Sequence, residues 1–175
     1  GRLAIASIGK QVLIITKAKQ RSEKHKIVTI LINWEIFELP GINLEDIVMP
    51  IREFDELPNE TDIQEIKREL LESLEDLLDR KVISGGDFSR ISATVNSLKV
   101  NPKLLNERLI GEFDIQEKDK GGTFFYISPV SENLIFDIEG DKASKEASKI
   151  EKMNATVASC IVSHNRGIII SVTEI

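Results

Sequence analysis

A single cysteine, Cys160, rules out an internal disulfide and any multi-cysteine metal site. It reads as a small buried hydrophobe in a strand, and a reducing, cytoplasmic setting fits it best, with the nucleus open to a eukaryotic chain. Histidine is nearly as scarce. His25 lies in a basic loop and His164 in a turn, four residues after Cys160, a spacing that does not bring the two side chains together on a strand and turn. No H-E-x-x-H occurs. Gly85-Gly86 and Gly121-Gly122 lack a dinucleotide-binding context, and Ile8-Gly9-Lys10-Gln11 lacks the upstream glycine and the hydroxyl of a phosphate-binding loop. Acid pairs such as Glu45-Asp46 and Glu75-Asp76 abound, and no spacing selects one. Glu139-Gly140-Asp141 lacks the remaining oxygen ligands of a calcium loop. These absences point to a non-enzymatic protein with no cofactor and no metal. Long apolar runs are missing too. Residues 27–34 and 167–172 are the longest, far short of the roughly 20 residues that span a bilayer. The first seven residues lead straight into strand-like sequence, with no secretory signal expected there.

What is present is an ordinary folding composition with an uneven charge. Hydrophobic residues are 41% and charged residues 30% of 175, enough apolar content and length for one domain or two small ones. Residues 1–34 carry seven Lys/Arg against one acid, whereas residues 35–80 carry four against fifteen. The whole is therefore no polycation, so a generic grip on phosphate is not implied. The basic start suits phosphate or an acidic partner, and the acidic block suits a basic protein.

β-Branched runs over 11–16 and 26–34 predict an antiparallel hairpin, its polar tip carrying Lys17, Lys19, Arg21, Lys24 and Lys26. Residues 40–58, with three prolines and many acids, read as irregular connecting chain with one short strand near 47–51. Thr61 and Gln64 have the spacing of a capping box. Ile63, Ile66, Leu70, Leu74 and Leu77 then give one helical stripe, widened by Leu71 and Leu78. Val82-Ile83-Ser84 reads as a short strand, and Asp87 as the cap of a helix to Leu98 with Phe88, Ile91, Val95 and Leu98 on one face. Asn101-Pro102 starts another helix, backed by Leu104, Leu105 and Leu109. Residues 112–116 and 123–127 form two β-prone runs around a turn-rich loop. Further on, 134–138 reads as a strand, 141–153 as a helix, and 156–163 with 168–173 as a hairpin.

Helix, turn, helix, hairpin is the order of a winged helix. Leu98-x-Val100-x-Pro102, with Leu105 and Leu109 behind it, resembles the helix-turn-helix core of winged-helix proteins, with Lys99 where that pattern has glycine. The resemblance covers about a third of the chain. It implies either DNA reading by the second helix or service as a protein-docking module in a larger assembly.

The expected fold is α+β. A winged helix-turn-helix at 59–127 is flanked by N- and C-terminal β-hairpins (1–58 with 128–175) that pair into an antiparallel sheet with one covering helix. The leading expectation is contact with nucleic acid, duplex DNA above all. Asn106 and Arg108 would meet bases or phosphates, and Lys99, Lys103, Lys118, Lys19 and Arg21 phosphates. The alternative is a protein–protein interaction module, an adaptor or subunit, whose partner is basic. A homodimer presenting two recognition helices about 34 Å apart would favour operator DNA. Phe125 is expected in the core, with Ile115 and Ile127 as same-face neighbours.

Overall fold

Alternation of apolar residues builds the first two strands. In the computed structural model, which describes residues 9–18, 26–100, 107, 121–130 and the backbone of 158–162 and 168–172, β1 (Gln11–Lys17) and β2 (Ile27–Asn33) pair antiparallel, with Leu13 opposite Leu31. Side chains of period 2 put Leu13, Ile15, Ile27 and Leu31 on one buried face. Asn33 ends β2, because its Oδ1 accepts a hydrogen bond from the Glu35 amide at 2.9 Å and caps the single turn α1 (Trp34–Phe37). After a 3₁₀ turn at Leu44–Asp46, β3 (Ile51–Phe54) returns along β2. The helices α2 (Glu60–Asp79) and α3 (Gly85–Ser97) follow. Then come β4 (Gly122–Ile127), β5 (Ala158–Val162) and β6 (Ile168–Val172).

Among the described residues the strands form one antiparallel sheet in the order β3-β2-β1-β4-β6-β5. The class is α+β, as expected. Both terminal hairpins join a single sheet, but they do not meet edge to edge. β4 lies between them, pairing Leu13 with Tyr126 on one side and Ile169 with Tyr126 on the other. Both edges of β4 are thus occupied; residues 112–116 lie outside the described residues. Residues 134–138 and 141–153 lie outside them as well. Gly9 bridges to Val130 beside this strand. A side chain at Gly9 would come within 2.6 Å of the Pro129 carbonyl, so only glycine fits that approach.

The helices cover one face of the sheet. The stripe Ile63, Ile66, Leu70, Leu74 and Leu77 is at most 2% exposed and packs with Ile91, Val95 and Leu98 of α3 and its end, and with Phe124 from the sheet. Phe124 and Tyr126 point into this core. Phe125 does not: it is half-buried on the opposite face, level with Ile14. The expectation had the aromatic alternation right and its inward phase reversed.

Local signals shifted in three places. The capping box of α2 is Asn59 with Asp62 rather than Thr61 with Gln64. Asn59 Oδ1 accepts from the amides of Thr61 and Asp62, and Asp62 accepts from the Asn59 amide at 2.8 Å. Ser84, not Asp87, caps α3, so Gly85 and Gly86 form its first turn. Residues 82–84 are not a strand. The amides of Val82 and Ile83 are drawn to the Leu77 carbonyl, and Lys81 at φ 58° closes α2 in a left-handed cap.

Candidate interaction surface

Of the residues expected to contact nucleic acid, Lys99 alone is described. Lys103, Asn106, Arg108, Lys118, Lys19 and Arg21 lie outside the described residues. Lys99 is exposed just past α3, and its backbone is firmly placed. The Tyr126 hydroxyl donates to its carbonyl at 3.0 Å. One residue earlier, Leu98 is buried, and its carbonyl accepts from the ammonium of Lys67 at 3.1 Å. The direction in which the chain leaves α3 is therefore set by one helix and one strand together.

The cations that are described mostly face carboxylates. Lys10 and Arg90 converge on Glu35 at 3.2 and 2.6 Å. Arg52 spans Glu65 and Glu69 at 3.0 and 3.2 Å, which ties β3 to α2. Arg80 joins Asp46 at 2.6 Å and Asp76 at 3.2 Å, while Lys26 lies 3.8 Å from Glu53. Among the described residues, such pairing engages these basic side chains within the fold instead of gathering them into a field for phosphate.

Glu35 is the one carboxylate among these that is nearly buried, at 7% side-chain exposure. Burial alone would raise its pKa. Hydrogen bonds from Thr94, Lys10 and Arg90, with the charge of Lys10, overcome that and hold it below the ordinary glutamate value. Both of its oxygens are engaged, Oε1 by Lys10 and Arg90 and Oε2 by the Thr94 hydroxyl at 2.6 Å. An ionised, fully partnered carboxylate is a poor general base; the cluster ties Lys10, just before β1, and α1 to α3. Among the described residues no group of His, Cys, Asp and Glu is placed to hold a metal ion, and no helix is long and apolar enough to cross a membrane.

The conspicuous surface feature is apolar. Leu44 is 77% exposed, Val48 49%, Met49 42% and Ile51 57%. All the large exposed hydrophobic residues that the described chain carries fall in these eight positions, on the segment that leads into β3. The turn that begins the segment is tied to α2. Asp46 accepts hydrogen bonds from Arg80 at 2.6 Å and Asn43 at 3.1 Å, which hold its carboxyl below the usual range and pin the turn that displays Leu44. Exposed acids rim the segment at Glu45, Glu53, Asp55 and Glu56. The sequence reads 40–58 as connecting chain with one short strand near 47–51, whereas the strand lies at Ile51–Phe54. The available signal was Ile47-Val48-Met49 and Ile51, an apolar run inside a stretch of prolines and acids.

Compared with protein-family models, with curated proteins and with solved structures, the chain matches none of them.

Proposed function

We propose that this protein is a non-enzymatic interaction module that docks another protein through the segment 44–54. The observation that carries the reading is the concentration of Leu44, Val48, Met49 and Ile51 in one exposed, anchored, acid-rimmed stretch. Single exposed hydrophobics are common on any surface; four within eight residues are not, and contiguous apolar exposure of this kind marks contact sites. A photo-crosslinking amino acid in place of Leu44, in the cells that make the protein, should give a discrete adduct that protease destroys and nuclease leaves intact. The adduct should be lost in Val48→Glu. No adduct, or a nuclease-sensitive one alone, would refute the reading.

A second reading has Lys99 and the residues beyond it contacting duplex DNA, as the winged-helix resemblance implies. It is favoured by the exposed lysine on a fixed backbone at the end of α3. Fluorescence anisotropy with random duplex separates the two. Tight binding at low salt that falls steeply as salt rises supports the second reading, and absence of binding removes it.

A further inference from the structure

We infer that β3 is an acceptor edge, and that the partner binds by adding to it an extended segment in which apolar residues alternate with Lys or Arg. This rests on the protein-docking reading above and specifies its geometry. Among the described residues β3 ends the sheet, pairing with β2 on one side only. The Leu31 amide donates to the Pro50 carbonyl at 3.2 Å. With Thr29 opposite Arg52, the antiparallel ladder then turns the peptide groups of Arg52 and Phe54 toward β2 and those of Ile51 and Glu53 away from it. Two amides and two carbonyls so aimed are a template for another strand.

β3 is short, at four residues, but the other usual defences of such an edge are absent here or face the wrong way. Pro50 shares the phase that faces β2, so its missing N–H leaves the outer edge intact. Arg52 is folded back onto Glu65 and Glu69. No lysine lies on β3 itself. What the edge offers instead is Ile51, exposed beside Val48 and Met49, followed by Glu53, Asp55 and Glu56. An incoming strand gains apolar contact near Ile51 and opposite charge near Asp55, Glu56 and Glu53, the last in exchange for its exposed 3.8 Å contact with Lys26. A second copy is the poorer occupant, because β3 paired with itself about Arg52 sets the two Arg52 side chains opposite each other and offers Glu53, Asp55 and Glu56 no cation. Nucleic acid meets repulsion from these carboxylates.

The probe is an acetylated, amidated ten-residue peptide of alternating valine and lysine, added to the full chain at low salt. Saturable binding is expected, with amide resonance changes concentrated in residues 44–56. Replacing every second valine by proline, which removes donors, should abolish it, as should exchange of lysine for glutamate. In the protein, Ile51→Pro deletes an outward amide and the exposed Ile51 side chain but no bond of the ladder to β2, and should weaken the peptide at least tenfold while the melting temperature stays within a few degrees. Glu53→Lys should weaken it similarly, without touching the backbone ladder. If neither variant changes affinity, if the resonance changes lie elsewhere, or if the peptide does not bind, strand addition is overturned. A protease-sensitive Leu44 adduct surviving alongside that result would leave docking at 44–54 standing and sink only the edge geometry. Self-association through β3, seen as a concentration-dependent rise in mass that Ile51→Pro removes, would assign the edge to a second copy and overturn the basic partner.

Discussion

The ammonium of Lys67, in the middle of α2, donates to the carbonyl of Leu98 at 3.1 Å, immediately past the end of α3. It also reaches the Asn96 carbonyl at 3.4 Å. The last carbonyls of a helix have no partner within it and carry the negative end of its dipole, and α3 has no basic residue of its own in its last turn. Lys67 supplies both the donor and the charge from a neighbouring helix. Its own burial pushes its pKa down from the usual lysine value. Lys67→Met keeps the apolar stem and removes the donor, leaving buried carbonyls unsatisfied. A loss of about 1–3 kcal/mol is expected from urea denaturation. Unchanged stability would mean that these carbonyls find water instead.

Glu35 makes the stability of the fold sensitive to acid. Its pKa is lowered in the folded state, so the unfolded chain takes up a proton first as pH falls. The stabilisation it contributes is fully present above its unfolded value near 4.5 and disappears as pH drops through the lower, folded value. Glu35→Gln, which presents an amide group to Arg90 and Lys10, should cost about 1–3 kcal/mol at neutral pH. The gap between wild type and variant should close below pH 4.5. Denaturation midpoints of both proteins over a pH series check this. A gap that stays constant with pH would assign the loss to geometry rather than charge.

Two adjacent aromatic residues separate the faces of the sheet. Phe124 is 1% exposed within the core, whereas Phe125 is half-buried on the other side. Phe124→Ala should cost about 3–5 kcal/mol, and Phe125→Ala distinctly less. Equal losses, measured by thermal or urea unfolding, would mean that the second face is packed as tightly as the first.

Features encoded over a short stretch were legible. The α2 stripe could be read from one helical period, and β1 and β2 from alternation over a few residues each. Phe88, Ile91, Val95 and Leu98 likewise announced the inner face of α3. The place of β4 could not be read this way. Residues 123–127 look equally suited to a local hairpin, and their partners Leu13 and Ile169 lie far off in either direction along the chain. Lys67 carries no mark of its burial, since only the approach of the α3 end makes a lysine useful there. The exposed segment at 44–51 was visible as apolar sequence. That its side chains face outward could not be read there, because the segment is placed by contacts such as Arg80–Asp46 and Arg52–Glu65, whose members are distant in sequence.

Lys81 holds a conformation that its side chain disfavours. With φ at 58°, it occupies the left-handed position just beyond α2. There the Lys81 amide donates to the Leu78 carbonyl and the Val82 amide to the Leu77 carbonyl, both at 2.9 Å. This closing turn is one that glycine adopts without steric cost. Lys81→Gly should therefore stabilise the protein, although glycine loses more backbone freedom on folding. A net gain of about 0.5–1 kcal/mol follows, which corresponds to a rise of about 1–4 °C in melting temperature for a chain of this size. Lys81→Ala keeps the Cβ and should give no such gain. If glycine and alanine shift the melting temperature alike, the backbone of residue 81 is not what limits the end of α2.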